Sequence, residues 1–375
     1  MSLTWIEISR SALRAQVRQL KALIGKSLLL PVVKSNAYGH GMREVVSVLH
    51  KEKNVAGFMV VNLQEALSLL SHTKKTLYVL SFWELDKKLV SRAVRHNVVL
   101  PVYDILQAQW LNELGAKLKK KVKIHIKIDT GTQRLGFRHD SQRRAIVDVC
   151  TMPHLAIVGV FTHLADSESM DESFTRVQKS RFDNMLSWLD KRGLHVPMAH
   201  VACSAAALRS VDYRYDAVRV GITLYGLWPS PETEKSSRLK IRMQPVLTWK
   251  TQVIHIKKVM HGEPVGYGLS YRAPREMRLA VLPVGYADGY DRKFSNQAVV
   301  LIGGMRCPVR GRVCMNMTMV EIPDMLTVRI GHEAVLIGRQ GRVTVTADEL
   351  AWIADTINYE IVARINPQLP RIIVT

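Results

Sequence analysis

Cysteine is scarce in this chain. Four residues in 375, Cys150, Cys203, Cys307 and Cys314, lie scattered, and no two form a Cys-x-x-Cys pair. That argues against a disulfide-stapled secreted scaffold and a zinc ribbon, so reduced thiols, no metal and a cytoplasmic setting are expected. Long apolar runs are absent too, and nothing approaches the ~20 residues of a membrane span. Glu7, Arg10, Arg14 and Arg18 interrupt the N-terminal stretch, which lacks the apolar centre of a signal peptide. No membrane partner is expected. Acidic residues are few: 32 Asp and Glu stand against 53 Lys and Arg, a net charge of +21. Such an excess can mark a nucleic-acid surface. Yet the local cluster Lys117, Lys119, Lys120, Lys121 and Lys123 has no interleaved aromatics for base stacking, and no zinc-finger, RRM or KH signature accompanies it. No nucleic-acid partner is expected, and a solvated basic surface that attracts small anions fits the composition. Internal repeats and low-complexity tracts are also missing.

What is present is an ordinary globular composition, 47% hydrophobic and 23% charged, long enough for two domains. Strand-like runs fall at 27–34, 55–61, 76–81, 98–103, 122–129, 155–163, 198–203 and 217–221. Several are near-continuous Val/Ile/Leu runs, as parallel strands covered on both faces require. Helix-like segments lie between them, for example 10–23, 62–71, 105–118 and 172–192. Eight strands with helical crossovers predict a (β/α)8 barrel. A doubly wound sheet competes, but no Gly-x-Gly-x-x-Gly turn follows the first strand to favour it. After Pro229-Ser230-Pro231 the pattern changes to turn-linked strands at 246–259, 278–284, 297–302, 306–321 and 327–337. A helix at 347–362 and a final strand at 371–374 follow. The expected division is a barrel over residues 1–235 and a mainly antiparallel β domain over 236–375. The first ten or so residues are expected to add a strand to the second domain.

Lys34 ends the first barrel strand, in Leu30-Pro31-Val32-Val33-Lys34-Ser35-Asn36-Ala37-Tyr38-Gly39-His40-Gly41. A partly desolvated amine titrates lower and attacks carbonyls, which is how Schiff-base lysines arise. A lysine that merely marks the strand end and snorkels to water fits the same residues. Lys127, His163, Ser204 and Arg219 also fall at or near predicted strand ends, where the active sites of such barrels lie.

The segment Val33–Gly41 resembles the pyridoxal-phosphate (PLP) attachment segment of alanine racemases, and the resemblance covers nearly the whole chain. It implies that Lys34 is the Schiff-base lysine and one of two catalytic bases. Tyr38, Ser204, the backbone of Gly221 and Ile222, and Tyr359 would then hold the cofactor phosphate. His163 would stack on the cofactor ring. His200 would hydrogen-bond Arg219, which would face the pyridine nitrogen. A guanidinium has no acceptor lone pair, so it only donates to an unprotonated nitrogen. Carbanion charge then spreads less into the ring, and reprotonation at Cα is favoured. Taken alone, Arg219 fits equally a buried arginine paired to a carboxylate.

Lys127-Ile128-Asp129-Thr130-Gly131-Thr132-Gln133-Arg134 is similar to the family's segment with a carbamylated lysine. Arg134 would contact the substrate carboxylate. Thr132-Gln133 stand where the family has Met-Gly, so an unmodified Lys127 stays open. Gly266-Tyr267-Gly268-Leu269-Ser270-Tyr271 resembles the motif of the second catalytic base, Tyr267. A phenol titrates near pH ~10, so a tyrosine base needs nearby cations. The family brings this tyrosine from a partner subunit, which implies a homodimer with shared active sites. Tyr286 would lie at the access channel, and the backbone of Met315 would bind the substrate carboxylate. Two departures stand out: Asn316 replaces an aspartate, and Cys203 replaces an asparagine before Ser204. The implied activity is PLP-dependent racemisation of alanine, supplying D-alanine for cell-wall synthesis. The alternative is a racemase of the same fold with a broader substrate range, serine or larger.

Overall fold

The protein is described by a computed structural model covering residues 2–83 and 86–375. Contacts divide it into two units, one of residues 13–35 and 46–244, the other of 1–12, 36–45 and 245–375.

The first unit is the barrel. Strands Leu28–Pro31, Gly57–Val60, Thr76–Val79, Leu100–Val102, Val122–Asp129, Leu155–Phe161, Ala199–His200 and Ala217–Val220 alternate with helices. Every pairing between them is parallel, by ladder or single bridge. The ring closes where Leu30 pairs with Arg219, and where Arg219 N donates to Ala202 O at 3.1 Å. Local rules set the crossovers. Asn62 caps the helix Leu63–Ser68, and Asp104 caps Ile105–Leu118, each accepting backbone N–H bonds. Leu29, Leu30, Phe58, Ile124, Ile126 and Val160 are fully buried in the strands. Each such side chain contributes about 1.5–3 kcal/mol of burial. All eight expected strands are present, and most are shorter than the apolar run that announced them.

The second unit is mainly antiparallel. One sheet orders its strands Met305–Pro308, Val299–Ile302, Glu333–Gln340, Leu247–Gln252, Thr4–Ser9 and Arg371–Val374, with Val343–Val345 beside Glu333–Gln340. Thr4–Ser9 runs antiparallel to Leu247–Gln252 and parallel to Arg371–Val374. A second sheet holds His255–Val259, Met277–Leu282 and Thr318–Ile322. Residues 36–45 also pack here: Arg371 donates to Gly39 O at 3.0 Å. A cut at 235/236 omits that excursion.

Two expected elements are broken. The run 306–321 splits into Met305–Pro308 and Thr318–Ile322, and the loop between them carries Arg312, Cys314, Met315 and Asn316. The helix 347–362 becomes Ala347–Ala354 and Asn358–Ala363, because Asp355 turns left-handed at φ 56° and caps the first.

Candidate active site

Lys34 opens the helical turn Lys34–Tyr38, in which Ser35, Asn36, Ala37 and Tyr38 all have φ between 52° and 55°. Left-handed backbone costs about 1–2 kcal/mol per non-glycine residue, so this turn must be held from outside. In the barrel unit, Glu65 accepts from Ser35 N at 2.6 Å and from Val61 N at 2.8 Å. Tyr225 Oη donates to Val32 O at 2.8 Å and fixes the strand just before the lysine. In the other unit, Asn36 Oδ1 accepts from Met42 N at 2.9 Å, and His40 Nδ1 donates to Tyr38 O at 2.9 Å. Only glycine fits at Gly39, where a Cβ would lie 1.8 Å from Val362 O.

The barrel mouth gathers cations around Lys34. Burial and the Arg134 guanidinium push its amine below the ordinary lysine range, and Glu65 opposes them. Lys127, 3% exposed, is pushed down to about 8 by burial, then by Arg134 and Arg219. Its Nζ sits 5.5 Å from the centre of the Phe161 ring.

Arg219 is buried yet meets no carboxylate among the described residues. Nη1 donates to His200 Nδ1 at 2.7 Å and His200 O at 3.0 Å. Nη2 donates to Val201 O at 2.7 Å, Thr162 O at 2.8 Å and His163 Nδ1 at 3.2 Å. Its Nε has no acceptor among the described residues. Burial lowers the guanidinium to about 10, which leaves it charged at neutral pH. Burial and that charge hold His163 and His200 far below the usual histidine range, hence neutral.

Ser204 begins the helix Ser204–Arg209, and its Oγ accepts from Gly221 N at 3.0 Å. Ile222 follows as the first residue of a 3-10 turn. The serine and two backbone groups expected to form a phosphate cradle therefore lie together. Cys203 Sγ meets Ser167 Oγ at 3.0 Å and leaves Ser204 undisturbed. Arg134 is exposed, on a loop gathered by Asp129 Oδ1, which accepts from Gly131 N at 2.8 Å and Gln133 N at 3.3 Å. Gln133 pays for its place with φ 52°.

The β-rich unit brings the remaining residues into two groups. The Tyr38 and Tyr359 rings lie 6.2 Å apart. Tyr267, Tyr286, Met315 and Asn316 line one cavity of about 510 Å³ with Arg292, Arg312 and Cys314. Tyr267 is 73% exposed between Gly266 and Gly268, whose φ values of 70° and 69° suit glycine. Ala287 N donates to Met315 O at 3.0 Å, tying the two loops of this cavity.

Sequence reasoning missed His125. It is fully buried, and its Nδ1 lies 3.1 Å from His200 Nε2. The signal was its spacing: two residues before Lys127 on one strand, it shares that residue's face.

Two family descriptions match the chain, "Alanine racemase, N-terminal domain" over residues 8–229 and "Alanine racemase, C-terminal domain" over 246–373. An alanine racemase of Symbiobacterium thermophilum is 38% identical over 369 residues, 98% of this chain and 96% of that protein. One from Halothermothrix orenii is 37% identical over the same length, with the same shares covered. The solved alanine racemase of Clostridium difficile 630 superposes with a TM-score of 0.93 at 30% identity, covering 100% of this chain and 96% of that one. The Bacillus anthracis alanine racemase with bound L-Ala-P superposes at 0.90 and 33% identity, with the same coverage.

Proposed function

The chain belongs to the alanine racemase family of PLP-dependent isomerases and interconverts L-alanine and D-alanine, and we propose that Lys34 and Tyr267 are its two bases. A racemase must take a proton from one face of Cα and return one to the other. Lys34 serves one face and Tyr267 the other. Arg292 and Arg312 line the same cavity as Tyr267.

PLP is the proposed cofactor, and the barrel residues fit it. Lys34 is a depressed amine able to anchor an aldehyde. Arg219 Nε is a donor without an acceptor among the described residues, matched to a ring nitrogen. Ser204, Gly221 and Ile222 hold the phosphate with Tyr38 and Tyr359. His163 packs beside the ring, and His200 holds Arg219. When bound, PLP supplies an electron-withdrawing ring that acidifies the Cα–H of an attached amino acid. Arg219 limits that withdrawal, because it presents no carboxylate to keep a proton on the ring nitrogen. This observation carries the reading, since limited withdrawal favours returning the proton to Cα.

Arg134 and the backbone of Met315 hold the substrate carboxylate, and Tyr286 lines the access channel. Lys127, neutral in a large fraction near pH 8, takes up CO2 with loss of a proton to form a carbamate that steadies Arg134. A homodimer is proposed, with Tyr267 of one protomer serving the barrel of its partner. D-Alanine supply for cell-wall synthesis in the cytoplasm is the proposed role. Alanine is preferred over a broader substrate set because the relatives carry that name.

Lys34→Ala tests the assignment. The variant should lose the PLP absorbance that survives gel filtration, and turnover should fall by at least about 10³-fold. Retained absorbance would move the anchor to another lysine. Offering L-serine beside L-alanine to the wild type tests the broader alternative.

A further inference from the structure

The excess positive charge is unevenly placed on the barrel unit. Because the eight strands are parallel, the loops that enter them all lie at one end, opposite the catalytic mouth. Those loops are 25–27, 50–56, 69–75, 96–99, 119–121, 152–154, 191–198 and 210–216. They hold eleven Lys and Arg residues against three Asp and Glu. Lys26, Lys51, Lys53, Lys74, Lys121 and Lys191 are exposed. No ion pair involves the eleven cations among the described residues, and the three carboxylates are engaged elsewhere. Glu52 pairs with Arg14 at 2.9 Å, Asp216 accepts from Ala199 N at 2.7 Å, and Asp212 accepts from Ser210 Oγ at 3.1 Å. The loops at the catalytic end carry Asp86, Asp104, Asp166, Glu168, Asp171 and Glu172. That end also carries Lys34, Arg134 and Arg138, so its charges are mixed, whereas the entering loops carry a clear basic excess.

We propose that the basic end of the barrel docks on an anionic lipid surface, leaving the catalytic mouth facing solution. Clustered lysines near a charged bilayer add their attractions, and a ring of them acts together. Nine of the eleven cations are lysines, compact point charges suited to a field of headgroups rather than to bidentate readout of a nucleic acid. The loops run from three to eight residues, too short to form an arm or a groove that wraps a rod-like polymer. A short rim meets a plane. Val211, 68% exposed, and Leu28, 40% exposed, stand at the same end and add apolar contact. The contact is peripheral, since no helix among the described residues is long and apolar enough to cross a membrane. The inference does not depend on the reaction assigned above.

Sedimentation with vesicles tests it. Wild-type protein should pellet with vesicles of equal parts phosphatidylglycerol and phosphatidylcholine at ~0.1 M salt, stay soluble with phosphatidylcholine alone, and be released at ~0.5 M salt. Reversing Lys53, Lys74, Lys121 and Lys191 to glutamate should lower the bound fraction at least tenfold, with circular dichroism and racemisation in solution unchanged. Reversing Lys257, Arg329, Arg339 and Arg342, exposed cations of the other unit, alters net charge equally and should preserve most of the binding. Three results would overturn the proposal: no binding to the anionic vesicles, equal losses in both variants, or tighter retention on duplex DNA than on vesicles at the same salt.

Discussion

Arg219 Nη1 donates to His200 Nδ1 at 2.7 Å, and that one bond fixes the protons of two histidines. A guanidinium only donates, so His200 Nδ1 must accept and its proton sits on Nε2. His200 Nε2 faces His125 Nδ1 at 3.1 Å, so His125 accepts in turn and carries its own proton on Nε2. That last atom is buried with no partner among the described residues. Gly159 makes room for it, since a Cβ there would lie 2.7 Å from Nε2.

His125 is therefore expected to position Arg219 through His200. His125→Phe removes one unsatisfied donor and creates another at His200, so urea stability should change by less than about 1 kcal/mol. Turnover should fall by about 10- to 100-fold, with KM for alanine little moved, because the guanidinium loses its fixed seat. His125→Gln, which restores an acceptor, should recover most of the rate. Loss of stability without a change in kcat would make His125 a packing residue only.

Acid should destabilise the fold through its buried histidines. Burial lowers His40 to about 4 and His125 to about 3, against 6.5 in the unfolded chain. Below pH 6.5 the unfolded state binds protons the folded state refuses, so stability present above that pH is lost as pH falls toward the folded values. At pH ~5 each costs roughly 2 kcal/mol, and His163 and His200 act in the same direction. Thermal melts between pH ~8 and ~5 should show a steep fall in Tm beginning near pH ~6.5. A flat profile there would mean these histidines are not buried as neutral groups.

Gln133→Gly should stabilise the protein by roughly 0.5–1 kcal/mol, read as a higher urea midpoint. Glycine relieves the strain of φ 52°, which outweighs its larger unfolded-state entropy. Gln133→Val should do the reverse. Equal midpoints for all three forms would show that the loop relaxes out of the left-handed region.

Tyr267→Phe should damage the two directions of exchange unequally. By family resemblance the tyrosine handles the L-enantiomer, so solvent deuterium should enter L-alanine more slowly than D-alanine. Mixing inactive Lys34→Ala with Tyr267→Phe should then restore activity, because exchanged subunits form one site with both bases. No recovery after proven exchange would mean that each site is built within one chain.

The sequence by itself determined the strand order and the residues at the strand ends. Apolar runs such as Val122–Asp129 are local, and a parallel barrel puts their C-terminal ends in one mouth, so Lys34, Lys127 and Arg219 were legible as neighbours. The cofactor roles came from motifs, not from periodicity. What only the tertiary structure decided depends on partners distant in the chain. The left-handed turn after Lys34 persists because Glu65 grips Ser35 N. Of Ser35-Asn36-Ala37-Tyr38 only Asn36 is a residue type that tolerates φ near 53° well, so a run of four is not announced locally. Arg219 meets no carboxylate among the described residues because carbonyls and histidines from two other strand ends reach it first. The helix expected over 347–362 broke at Asp355 for a local reason, a left-handed cap that apolar periodicity does not report. Charge was countable from the start, but its gathering at one end of the barrel required the closed ring of strands to set all the entering loops side by side.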